Sequence, residues 1–113
     1  MEDKRGKILF LTYNDKNINL IEIKQGFARG GHFHKTNTSH FLISGKIQYY
    51  EENIKTGIEK ISIIESPCII NTQSHVAHLL IAKENSLFFE VFKNYEDTVY
   101  PKYRKIVKDL MKS

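Results

Sequence analysis

Three of the five histidines fall within nine residues of the run RGGHFHKTNTSHFLISGK, Arg29 to Lys46. His32 and His34 stand two apart, a spacing that sends both imidazoles to one face of a β-strand while Phe33 faces the other way. Side by side, such a pair can ligate one ion, or one can bind while the other moves protons. Thr38 and His40 share a face of the following strand by the same period. A second pair, His75 and His78, sits in NTQSHVAH just ahead of the apolar run LLIA. His-x-His, a short strand and then a distant third histidine is an arrangement that suits a metal ion. His78 is the candidate third ligand, with His75 in its place should His78 face solvent. The plainer reading of each histidine is a hydrogen-bonded imidazole on a strand, and spacing leaves both readings open.

Other residues carry chemistry with less pattern around them. Arg29, just upstream of His32, can hold a phosphate or carboxylate through its planar fork, or sit on the surface at a strand start. Glu90 shares a strand face with Phe88 and Phe92, so it is either buried with a partner or set against another subunit. Tyr49 and Tyr50 point to opposite faces of one strand, and one of them faces the interior with its hydroxyl hydrogen-bonded. Cys68 is the only cysteine, which excludes an internal disulfide and makes a reducing cytoplasm the expected location. The chain has no glycine-rich phosphate loop and no serine-nucleophile signature.

The elements that must position these residues read as strands. KILFLTY (7–13), INLIEIKQ (18–25), SHFLIS (39–44), KIQYYE (46–51), IEKISII (58–64), CIIN (68–71), VAHLLIA (76–82) and LFFEVFK (87–93) are short, apolar or alternating, and separated by turn chemistry. With no helices between them they predict an antiparallel sandwich or barrel. Asn53 to Gly57 forms the tip of a hairpin. In PKYRKIVKDLMKS, Tyr103, Ile106, Val107, Leu110 and Met111 follow helical spacing, Pro101 suits the first turn, and Lys102, Arg104, Lys105, Lys108 and Lys112 take the solvated side. That helix carries much of the net charge of +4, so a nucleic-acid surface is not expected. The 113 residues suit one domain, with a barrel over about 7–93 and the helix over about 101–112. No apolar run is long enough to span a membrane, and the charged start is no secretory signal. Ile and Phe at outward strand positions predict a homodimer.

GFARGGHFHKTNTSHFLISGKI resembles the first motif of the cupin superfamily: glycine, five residues, His-x-His, a glutamate and a closing glycine. Gly26, His32, His34 and Gly45 hold those places. SPCIINTQSHVAHLLI is similar to the second motif, with Pro67 and His78 in place. The resemblance covers about residues 18–93 and implies an all-β, cupin-type antiparallel β-barrel (jelly roll) with the C-terminal α-helix outside it. It also implies His32, His34 and His78 as ligands of a divalent ion such as Zn, Fe, Ni or Mn. The glutamate position falls on Thr38, a poor ligand, which makes His40 a further candidate. Arg29, His32, His34 and Lys35 match the RG-x-HAHK run of the nucleotide-sugar ketoisomerases of surface-polysaccharide pathways. That likeness implies a sugar or nucleotide-sugar isomerase or epimerase, with His32 or His34 moving a proton beside a keto group and Arg29 holding an anionic part of the substrate. The alternative is a metal- or ligand-binding cupin module without turnover.

Overall fold

A computed structural model describes residues 1–92 and 97–112. Eleven strands and one helix make up those residues. A six-stranded antiparallel sheet runs in the order β1 (Glu2–Asp3), β2 (Gly6–Tyr13), β3 (Lys16–Ile23), β10 (Ser86–Phe92), β5 (Thr38–Ser44), β8 (Cys68–Thr72). A five-stranded sheet runs β11 (Asp97–Val99), β4 (Ala28–His34), β9 (Val76–Ala82), β6 (Lys46–Asn53), β7 (Glu59–Glu65). Helix α1 (Pro101–Lys112) follows.

The alternation read from the sequence sets the inner faces. In β3, Asn19, Ile21 and Ile23 are buried while Ile18, Leu20 and Glu22 between them are only half-buried. Ile21, Ile23, Leu42 and Phe88 of one sheet meet Ile47, Tyr49, Leu80 and Ala82 of the other in a shared core. Tyr49 is the inward tyrosine, and its hydroxyl is hydrogen-bonded to Thr72 Oγ1. The expected barrel is thus two open sheets face to face among the described residues, since no strand pairs across from one sheet to the other. Strand β10 ends at Phe92; Lys93, the last residue expected in it, lies outside the described residues, as do Asn94, Tyr95 and Glu96.

Local chemistry explains the connections. Asn14 and Asp15 both take positive φ, 45° and 63°, as the two-residue turn between right-twisted strands β2 and β3 requires. Asn53 Oδ1 accepts from the Lys55 and Thr56 amides and closes the β6–β7 hairpin at the predicted tip. Gly45 alone joins β5 to β6, and therefore one sheet to the other; its φ is 105°, and a Cβ there would run into Ser86. The helix packs as its spacing predicts. Tyr103 and Val107 are fully buried against Ala28, Ala77 and Leu79 on the outer face of the five-stranded sheet, flanked by Ile106, Leu110 and Met111. Burial of each large side chain stabilises that docking by about 1.5–3 kcal/mol. Lys102 is drawn back to the sheet, with Nζ 2.6 Å from Glu52 Oε1, while Tyr103 donates to Glu59 Oε2. No helix among the described residues is long and apolar enough to cross a membrane.

Candidate metal centre

Strand β4 departs from regular alternation where the chemistry lies. Arg29 and His32 are three residues apart and would face opposite sides of an ideal strand. The pairing with β9 runs Arg29 to Leu80 and Gly30 to Leu79, then jumps to His32 opposite His78, so β4 holds one residue more than its partner. This bulge turns Arg29, His32 and His34 all into the space between the sheets. It depends on glycine. Gly30 and Gly31 sit at φ 107° and 86°, and a Cβ on Gly30 would lie 2.7 Å from the His78 carbonyl oxygen. A Cβ on Gly31 would lie 2.9 Å from Arg104 Cα in the helix packed outside. Gly30→Ala is expected to cost roughly 1–3 kcal/mol in a urea unfolding titration, from backbone strain alone. An unchanged midpoint would show that the bulge does not need glycine.

The bulge delivers a tight cluster. One ligand nitrogen from each of His32, His34 and His78 lies within 4.8 Å of the others. The ring centroids of His32 stand 4.9 Å from His34 and 4.8 Å from His78, both edge-on. His34 and His78 stack at 5.4 Å. Burial, and then the charge of neighbouring His34, pushes the His32 imidazole down to about 4. Burial likewise holds His78 well below the ordinary histidine range, with His40, His32 and His34 adding to it. His32 and His78 are therefore neutral near pH 7 and present lone pairs rather than protons. Three imidazole nitrogens converging in this way, with two of the rings held neutral by burial, are a donor set that a divalent ion would take up, so the residues fit a metal. His75 takes no part: it sits in the turn before β9 at φ 61°, its amide donating to the His34 carbonyl.

The facing sheet supplies the opposite wall. Thr38 and His40 both turn inward from β5, as their spacing predicts. Thr38 pairs with Thr72, and its Oγ1 is buried without a partner. His40, the further candidate ligand, is engaged elsewhere: its Nε2 donates to Glu90 Oε2 at 2.8 Å. Glu90 Oε1 accepts from Asn19 Nδ2 at 3.0 Å. Burial alone would raise the Glu90 carboxyl, but the hydrogen bonds from His40 and Asn19 outweigh it and hold it below the usual carboxylate range. Glu90 is thus the buried, partnered carboxylate, and His40 keeps only a buried, unpartnered Nδ1.

Between the walls lies a cavity of about 370 Å³, lined by His32, His78, His40, Glu90, Asn19 and Arg29. Arg29 is buried, not on the surface. Its Nε donates to the Glu22 carbonyl at 3.1 Å, while Nη2 has no hydrogen-bond partner and stands 3.9 Å from Asp3 Oδ1. Burial, with Arg5 nearby, pulls its guanidinium down to about 10, still fully charged near neutrality. Three more polar residues at the cavity escaped sequence reasoning. Asn19 was visible only as a polar residue at an inward position of β3. Asp97 Oδ2 comes within 3.6 Å of His32 Nδ1 because β11 pairs with β4. Arg104, expected on the solvated side of the helix, instead lines the cavity, with Nη1 3.4 Å from the Gly30 carbonyl.

No protein-family model matches the chain, and neither does any curated protein. Solved structures do. Oxalate decarboxylase from Lactobacillus farciminis, in its formate complex, superposes with a TM-score of 0.75 at 19% identity, over 100% of this chain and 38% of that one. The capsular polysaccharide assembling protein CapF from Staphylococcus aureus gives 0.66 at 16% identity, over 79% and 26%. Oxalate decarboxylase from Bacillus subtilis, studied for its Mn(II) centres, gives 0.67 at 18% identity, over 87% and 28%. The chain spans about a quarter to two-fifths of the length of these proteins. At such identities the likeness shows the fold, and the fold is the cupin fold that the first motif implied.

Proposed function

We propose that this chain holds a divalent metal ion on His32, His34 and His78 and presents it to a small anionic ligand gripped by Arg29. The convergence of three imidazole nitrogens within 4.8 Å of one another carries the reading. Three lone pairs so placed suit one ion far better than they suit proton transfer, because burial makes His32 and His78 reluctant to carry a proton near neutral pH. When bound, an ion of the Zn, Fe, Ni or Mn class would supply Lewis acidity toward a carbonyl or hydroxyl of the ligand. Arg29 supplies charge and unused donors on the same side of the cavity, which fixes a carboxylate or phosphate group beside the triad. His40, anchored by Glu90 and Asn19, faces the ligand from the other sheet. The cavity is sized for a small molecule rather than a polymer.

A sugar or nucleotide-sugar substrate, with isomerase or epimerase chemistry, is the finer form of this reading. It is supported by the Arg29, His32, His34 and Lys35 run, and by similarity in fold to a protein described as assembling capsular polysaccharide. In that form His32 or His34 would move the proton beside the keto group, without a metal. Elemental analysis of tag-free protein separates the two. About one divalent ion per chain, lost on chelation and restored on reloading, is expected. Protein that stays metal-free when offered Zn, Mn, Fe and Ni, yet is stabilised against heat by nucleotide sugars, would replace the metal reading with the proton-transfer one.

A further inference from the structure

The two outer sheet faces of this fold are treated differently. Helix α1 covers that of the five-stranded sheet. No described element covers that of the six-stranded sheet, and it is strongly apolar. Leu9, Leu20, Phe89, Phe41 and Ile69 are direct cross-strand partners in one continuous row over β2, β3, β10, β5 and β8. No charge interrupts that row. The next row on the same face adds Leu11, Ile18 and Val91 before ending in Ser39 and Asn71. Leu9 and Ile69, at the two ends of the first row, are 54% and 58% exposed. Phe89 and Phe41 stack at its centre, 5.2 Å apart.

We infer that this face is the interface between two copies of the chain, packed sheet against sheet about a two-fold axis near Phe89. The row is apolar on both sides of Phe89, with two residues each way. A two-fold rotation there lays Leu9 and Leu20 of one copy over Phe41 and Ile69 of the other, so the face complements itself, as an isologous contact must. Leu9, Leu11, Ile43, Ile69 and Val91 on this face are each between 36% and 58% exposed. A contiguous apolar patch of this kind, running across five strands, marks an interaction surface, and a stable interface takes roughly 800 Å² from each partner. Two faces of this kind interdigitate about 10 Å apart, as the layers of a β-sandwich do. The interface lies on the far side of the sheet from the cavity, so it stands whether or not a metal binds.

Light scattering on the tag-free chain at micromolar concentration tests this. Twice the chain mass is expected, falling to the single mass in Ile69→Lys and Val91→Lys, both at exposed positions where a charge is tolerated in a folded monomer. Unchanged far-ultraviolet circular dichroism shows that the variants fold. Ile61→Lys, on the exposed edge of the other sheet, is expected to leave the dimer intact. A monomeric wild type overturns the inference. So does a dimer that survives both row variants, or one that Ile61→Lys splits instead.

Discussion

His78→Ala is expected to lower divalent-metal affinity by more than about 100-fold, because on the proposed reading it removes one of three converging donors rather than a residue that merely orients one. His40→Ala leaves affinity within a few-fold of wild type, since its Nε2 is committed to Glu90. Isothermal titration with Zn or Mn reads both. Equal losses in the two variants would make His40 a ligand and would require it to abandon Glu90. Thr38→Glu completes the test of register. Thr38 is buried with an unpartnered oxygen, so an uncompensated carboxylate there destabilises the metal-free protein. If the position faces the ion, metal offsets that cost, and the thermal shift on loading exceeds that of wild type. A variant that is destabilised and not rescued by metal would place Thr38 away from the ion.

How much of this was legible in the sequence follows from which forces are local. Strand existence was legible because alternation and turn residues such as Asn14–Asp15 act over a few residues. The helix was legible because Tyr103, Ile106, Val107, Leu110 and Met111 mark one stripe. His32 and His34 were legible as neighbours because two residues on one strand need no tertiary information. What failed to show was phase and partnership. Arg29 and His32 share the cavity only through the extra residue at Gly30–Gly31, and a glycine pair announces irregularity without saying which face results. Glu90 meets His40 because β10 lies directly beside β5, a pairing between residues fifty apart in the chain. The same long-range order decided how the strands divide between two sheets among the described residues, where the sequence had left sandwich or barrel open. Arg104 reached the cavity because the helix docks over the bulge, which no helical wheel contains.

Acid should unfold the metal-free protein earlier than its carboxylates alone would. In the unfolded chain His32 takes up a proton near 6.5, whereas in the folded protein it does so only near 4. Between those values the unfolded state binds more protons, so stability is full above about pH 6.5 and falls as pH drops toward 4. The slope is about 1.4 kcal/mol per pH unit for one such histidine, and the whole window for His32 is worth about 3 kcal/mol. His78, also held low by burial, acts in the same direction. Glu90 contributes separately: its depressed carboxyl protects the fold above the ordinary carboxylate value of 4.5 and withdraws that protection only below it. The histidine loss therefore comes first on acidification. Urea titrations of chelator-treated protein from about pH 7.5 to 4.5 measure it, and His32→Asn should flatten the curve. Equal stability at both ends would mean that the imidazoles are not buried as neutral groups. A bound metal should move the acid limb, because the ion binds only the neutral imidazoles of the folded state and protons must displace it before they can unfold the protein.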